Sequence, residues 1–190
     1  MMRPFISEAT YTKKDFRKAR LPKGDYENCT FINCQFQEGY LDNQLLVDCH
    51  FQDCDLTNTN LAHTQFNNVT FTSCKLVGLR FETCDPLLLT ISFTECNLTM
   101  SSFYEVCLPN TVFDRCKLHQ TDFTGAELVQ CSFYGCDLDK ALFDRTNLSK
   151  ADLRTALHFN IDPTRNTITK AKFNREALLG LLKKYDIVVE

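Results

Sequence analysis

Thr121-Asp122-Phe123-Thr124-Gly125-Ala126-Glu127-Leu128-Val129-Gln130-Cys131-Ser132-Phe133-Tyr134-Gly135-Cys136-Asp137-Leu138 repeats a single five-residue unit. The unit reads small residue, polar residue, Phe or Leu, then two mostly polar residues. Backward from this stretch the beat runs through Leu118, Phe113, Leu108, Phe103 and Leu98 to Phe93, and forward through Phe143 and Leu148 to Leu153. An earlier series keeps the same period in a different phase, from Ile6, Tyr11, Phe16, Leu21 and Tyr26 to Leu76 and Phe81. Internal repeats outrank other sequence signals, because overlooking one misassigns the whole fold. A period of five suits neither a 3.6-residue helix nor a two-residue strand. Each unit must therefore turn a corner while pointing one large side chain inward.

Two inward positions separated by one outward position make a short extended segment, since alternate strand side chains share a face. Coils built from such segments can pair their backbones at about 4.8 Å, the parallel-sheet spacing. Residue identity bears on the size of the coil. Phe93, Phe113, Phe133 and Phe173 recur at twenty-residue steps, as do Leu98, Leu118 and Leu138, and Phe103, Phe123 and Phe143. A fifteen-residue coil would stack Phe on Leu, whereas close-packed interiors favour uniform columns. A strict ten-residue alternation produces the same columns, so a square coil of four units is the simplest reading.

The small slot explains the cysteines. Of eleven, Cys29, Cys34, Cys49, Cys54, Cys74, Cys96, Cys116, Cys131 and Cys136 lie two residues before a series member. Cys84 joins them if the grid extends to Pro86, and only Cys107 is off this position. Ala9, Thr59, Thr64, Ser101, Thr121, Ala126 and Ala151 fill the same slot elsewhere. These are expected to be reduced core thiols acting as small hydrophobes, not a disulfide framework.

No run of eighteen apolar residues exists, which excludes a membrane-spanning helix. The start, Met1-Met2-Arg3-Pro4, leads into no signal-peptide stretch, so the expected location is cytoplasmic. His50, His63, His119 and His158 read as scattered without metal-ligand spacing. Six glycines form no phosphate-binding loop. No catalytic, cofactor-binding or metal site is expected, and the protein is expected not to be an enzyme.

Twelve residues separate Phe81 from Phe93 where ten would keep phase, so residues 82–92 hold a two-residue surplus. Pro86 favours a turn or bulge there. The surplus is either a bend in the rod or a binding protrusion formed by Asp85, Leu87, Leu88 and Leu89. After Leu153 the pattern fades into a degenerate final coil, with His158 and Pro163 as weak members and Ile168, Ala171 and Phe173 still on the grid. Asn174 can then cap a short α-helix whose Leu178, Leu181, Leu182 and Tyr185 form one apolar stripe. Ile187-Val188-Val189 could make a short strand. The tail is expected to cover the open end of the coil and to dimerise through Leu178, Leu181, Leu182, Ile187 and Val189.

Net charge is −3 but unevenly spread. Residues 1–23 sum to +5, residues 24–114 to −10 and residues 115–190 to +2. Asp25, Glu27, Glu38, Asp42, Asp48, Asp53 and Asp55 fall in a stretch, 24–74, without any Lys or Arg. All sit at outward or corner positions and do not share one face. A rod with acids at regular rises could engage basic partners and mimic nucleic acid, while direct nucleic-acid binding would need Lys or Arg. The alternative is a general protein-interaction scaffold whose acids serve solubility.

The five-residue pattern resembles the pentapeptide-repeat family across roughly residues 4–175. The resemblance implies an all-β fold, a right-handed quadrilateral β-helix of about eight coils, followed by a capping and dimerisation segment over 176–190. Eight coils imply a rod on the order of 35–40 Å. Within the family, the lone β-helix with its short tail is similar to the Qnr-type quinolone-resistance proteins and the microcin B17 immunity protein, and Asn160-Ile161-Asp162-Pro163 with Asn166 and Ile168 ahead of the tail is similar to the microcin-immunity type. That similarity implies a homodimer whose protein partner is DNA gyrase or topoisomerase IV, with no membrane association.

Overall fold

A computed structural model describes residues 3–188. Each unit supplies one short straight segment and one corner. On one face Phe5–Ser7, Asp25–Glu27, Leu45–Val47 and Gln65–Asn67 pair in that order, all parallel. On the next face nine segments pair in parallel, from Thr10–Thr12 at one end to Lys172–Phe173 at the other. The other two faces are joined by single parallel rungs, such as Asp15↔Gln35↔Asp55↔Lys75 and Arg80↔Ser102↔Asp122↔Leu142. Tyr11 pairs with Phe31, Phe31 with Phe51 and Phe51 with Phe71 in successive coils, a twenty-residue step that makes four units per turn. The architecture is thus the right-handed quadrilateral β-helix of about eight turns.

The corners need unusual backbone. The second residue after each inward Phe or Leu is mostly left-handed, at φ 51° for Asn28, 54° for Asp53 and 55° for Gln120. Residues with a Cβ rarely adopt this conformation, because Cβ crowds the following carbonyl. Here the strain is offset by a ladder bond from the same residue. Glu8, Lys13 and Asn28 donate their N–H groups to Glu27, Ile32 and Val47 carbonyls of the next coil at 2.9–3.0 Å.

Inside, the columns foreseen from side-chain identity are stacks of rings. Phe93, Phe113 and Phe133 stack at 5.2 and 5.1 Å, and Phe81, Phe103 and Phe123 at 4.5 and 5.2 Å. Adjacent columns meet edge to face, as Phe103 and Phe113 do at 5.8 Å and 88°. Both geometries suit the aromatic quadrupole.

The small slot has a chemistry that volume alone does not explain. Its side chain donates to the inward residue's carbonyl one coil earlier, 23 residues back. Thr64 Oγ1 donates to Leu41 O at 2.7 Å, Thr59 Oγ1 to Phe36 O at 2.9 Å, and the Cys54 and Cys136 thiols to Phe31 O and Phe113 O at 3.3 Å. Cys and Thr are interchangeable there as short buried donors. All eleven cysteines are free, and every one except Cys107 is buried. Burial pushes the Cys49 thiol up to about 11 and that of Cys131 up to about 12.

The last coil departs from the grid. His158 is exposed and left-handed, and Pro163 is half-buried. Ala156, Ile161 and Asn166 keep the buried small slot, while the large inward place due at His158 passes to Phe159, one residue beyond the grid. Asn166 is a polar plug: its Nδ2 donates to Phe143 O and Asp162 O, and its Oδ1 accepts the Thr146 N–H at 2.9 Å. The tail then differs from the expected α-helix. It forms two consecutive 3₁₀ segments, Arg175–Leu181 and Lys183–Tyr185, after Asn174 caps the Glu176 N–H as expected. Gly180 docks the tail, its carbonyl accepting the Ile161 N–H at 3.0 Å from the last coil. A run this short nucleates an α-helix poorly on its own. Gly180 must lack a side chain, because a Cβ there would collide with the Phe159 ring and stand 2.7 Å from its carbonyl.

Candidate partner-binding surfaces

The seven acids of residues 24–74 ring the rod. Asp25 and Glu27 flank inward Tyr26 on the four-stranded face, and Asp53 and Asp55 straddle Cys54 at another corner. Glu38, Asp42 and Asp48 occupy corners between them. Cations of adjoining coils lean on three of the seven: Arg3 on Asp25 at 3.7 Å, Lys23 on Asp42 at 3.3 Å and Lys75 on Asp55 at 3.4 Å. Partial burial opposes ionisation of Asp42 and Asp55. Bonds from Asn43 and Lys23 to the first, and from Thr57 and Lys75 to the second, outweigh it and hold both carboxyls below the ordinary range. Glu27, Glu38, Asp48 and Asp53 make no ion pair among the described residues.

At the phase break the chain bulges outward over residues 86–88. Leu89 returns to pack on the core in the place that Pro86 would have filled, while Leu87 and Leu88 stand 65% and 66% exposed. Asp85 closes the bulge by accepting the Leu87 N–H and Gln65 Nε2, each at 2.9 Å, which lowers its pKa. Of the four residues expected in a protrusion, two form its apex, Asp85 clamps its base and Leu89 anchors it.

The tail residues are unequal. Leu178 and Ile187 are exposed, Leu181 and Leu182 are half-buried, and Val189 lies outside the described residues. Lys184 latches the tail onto the last coil, reaching Asp162 Oδ1 at 2.7 Å and Thr164 Oγ1 at 2.6 Å.

Two features escaped the sequence reading. His119 and His158, read there as scattered, meet on Asp137, with Nε2 of the first 2.7 Å from Oδ2 and Nδ1 of the second 2.8 Å from Oδ1. They form a clasp between coils; among the described residues no group of three or more His, Cys, Asp or Glu is arranged to hold a metal ion. The second is a cleft of about 440 Å³ beside the bulge, lined by Glu82, Tyr104 and Cys107 among others. Cys107, the cysteine off the small slot, was the available signal.

These features define a closed-packed parallel β-solenoid that presents surfaces. Family models agree: one for a pentapeptide repeat region matches residues 24–103, and one for pentapeptide repeats in eight copies matches residues 121–156. The chain belongs to the pentapeptide-repeat family. No curated protein matches the sequence. Among solved structures, a trypsin-treated form of QnrB1, a plasmid-mediated fluoroquinolone resistance protein, superposes with a TM-score of 0.78 at 18% identity, covering 100% of this chain and 92% of that one. HetL, a pentapeptide repeat protein involved in heterocyst differentiation regulation from the cyanobacterium Nostoc sp. strain PCC 7120, superposes with a TM-score of 0.56 at 16% identity, covering 92% and 88%. At such identities the likeness is one of fold.

Proposed function

We propose that this protein is a non-catalytic, cytoplasmic rod that mimics duplex DNA electrostatically and binds a bacterial type II topoisomerase, modulating or protecting it. Charge density carries the reading. Residues 24–114 hold net −10 on about four and a half coils, roughly 22 Å of axis at the parallel-strand spacing. That is about one net charge per 2.2 Å, or about one per 3 Å once Arg3, Lys23 and Arg115, which pair with acids of this stretch, are included, against about one per 1.7 Å in duplex DNA. The backbone-paired coil holds these carboxylates at fixed rises, so little conformational entropy is lost when a basic channel closes around them. The acidic coils offer nucleic acid no site of their own, since phosphate binding needs clustered cations.

The homodimer forms through the tail, with exposed Leu178 and Ile187 facing the partner copy. Light scattering on Leu178→Glu/Leu182→Glu checks this; an unchanged dimer mass removes the tail from the interface. The competing reading is a general protein scaffold. It is favoured by the ion pairs on Asp25, Asp42 and Asp55, which weaken the negative field. Binding of wild type and of Glu27→Gln/Glu38→Gln/Asp48→Asn/Asp53→Asn to immobilised gyrase separates the two. DNA mimicry requires at least a tenfold loss in the variant and steep weakening with salt; equal binding by both proteins leaves the scaffold.

A further inference from the structure

The phase break leaves more than a bulge. In the regular coil, each corner N–H bonds the next coil and each outward-position N–H bonds the previous one. Gly78 N–H reaches Thr99 O, and Ser102 N–H reaches Leu79 O. By that pattern Thr83 N–H should reach Tyr104 O, and Cys107 N–H should reach Cys84 O. Neither bond forms: Thr83 N–H turns back to Arg80 O within a 3₁₀ turn. Among the described residues, Cys84 C=O, Tyr104 C=O and Cys107 N–H therefore have no backbone partner. These three groups border the cleft of about 440 Å³, whose walls include buried Phe81 and Val106 and the half-buried Leu89. The charged side chains that line it are both acidic. Glu82 Oε1 accepts from Arg80 Nε at 2.9 Å, while its buried Oε2 has no partner among the described residues. Glu105 stands exposed on the opposite side.

An open donor and acceptors on neighbouring strand segments, an apolar floor, a carboxylate oxygen without a partner on Glu82 and the exposed Glu105 suit an occupant that brings all three complements. We propose that this cleft is a docking site for an extended segment of a partner protein in which an apolar side chain neighbours an arginine or lysine. The apolar side chain sits on Phe81, Leu89 and Val106, and the cation meets Glu82 Oε2 and Glu105. The backbone takes up the missing rungs as an added strand does. Leu87 and Leu88 at the apex supply a second apolar contact. The site lies apart from Asp25 to Asp55 and needs no topoisomerase.

Cys107 makes the proposal testable in the native full-length chain, being the exposed thiol among ten buried ones. The probe is a fluorescein-labelled, end-blocked decapeptide alternating arginine with leucine, followed by fluorescence anisotropy. The expected Kd is on the order of 10 µM. Alkylating Cys107 with N-ethylmaleimide should weaken it at least tenfold, as should Glu82→Gln/Glu105→Gln. Cys107→Ser should bind normally and ignore the reagent, and saturating peptide should slow alkylation of wild type at least fivefold. Glu27→Gln/Glu38→Gln/Asp48→Asn/Asp53→Asn should bind the peptide as wild type does, which separates this site from the acidic ring. An arginine–serine peptide binding as tightly as arginine–leucine would overturn the proposal in favour of plain charge attraction. So would binding indifferent to alkylation. Concentration-dependent self-association abolished by alkylation would contradict it too, making a second copy of the chain the occupant.

Discussion

Replacing Phe113 with alanine tests the packing account at its most constrained point. The ring is 0% exposed, stacked between Phe93 and Phe133 at 5.2 and 5.1 Å, with edges of Phe103 and Phe123 at 5.8 and 5.9 Å. Buried Phe→Ala changes cost about 3–5 kcal/mol, the larger values where surroundings cannot collapse into the cavity. Here they cannot collapse, because backbone ladders on both sides fix the coil spacing; about 4–5 kcal/mol is expected. Phe113→Leu should cost far less, about 1–1.5 kcal/mol, since Leu153 occupies the same column with 0% exposure. A change of 1 kcal/mol moves Tm by roughly 2–4 °C in a domain of this size. Alanine should therefore lower Tm by roughly 8–20 °C and leucine by no more than about 6 °C, read by far-ultraviolet circular dichroism. Phe5→Ala, at a position 65% exposed, should stay within about 0.5 kcal/mol. Alanine at 113 costing under about 2 kcal/mol, or as little as leucine, would refute a core built from stacked columns.

The small slot predicts that Thr64→Val loses about 1–3 kcal/mol by leaving Leu41 O without its donor, while Thr64→Cys, which keeps a donor, loses less; urea midpoints rank the pair. Native protein should release one fast thiol to Ellman's reagent and the remaining ten only in guanidinium; two or more fast thiols would contradict the stacking. Gly180→Ala should push the tail off Phe159 and expose the Ile161 amide to hydrogen exchange, leaving exchange in the coils before Leu153 unchanged. The Asp162 carboxyl is held at about 2 by Lys184, below its ordinary 3.8. A depressed acid favours the folded arrangement fully above the ordinary value and loses that as pH falls through the depressed one. Tail protection should thus hold from neutral pH to about 4 and decay toward about 2; loss already at pH 5–6 would show that the Asp162–Lys184 pair does not hold the tail.

Much of this structure is readable in the residues, for a physical reason. A solenoid repeats one local problem, so Phe113 and Cys116 announce their places by period alone. What period cannot show is contact between outward residues, yet the twenty-residue coil makes even some of that legible. Lys75 and Asp55 are twenty residues apart, as are Arg115 and Glu95, and each pair meets. The His119–Asp137–His158 clasp is harder, since its spacings of 18 and 21 depend on how corner side chains lean. The last coil misleads because Phe159, one residue late, takes the inward place due at His158, and a grid has no term for such a slip. The candidate surfaces are the least legible. Asp25 and Glu27 flank the same inward tyrosine, yet Arg3 reaches only one of them. Likewise, Leu89 turns inward where Leu87 and Leu88 do not, because the bulge must rejoin the ladder at Ile91.

DNA supercoiling by purified gyrase, measured against increasing protein with and without a quinolone, tests the central claim most directly. The charge density of the rod predicts inhibition, or relief of quinolone inhibition, at micromolar protein, reduced at least tenfold in Glu27→Gln/Glu38→Gln/Asp48→Asn/Asp53→Asn. Supercoiling unchanged in both settings at micromolar protein would contradict it.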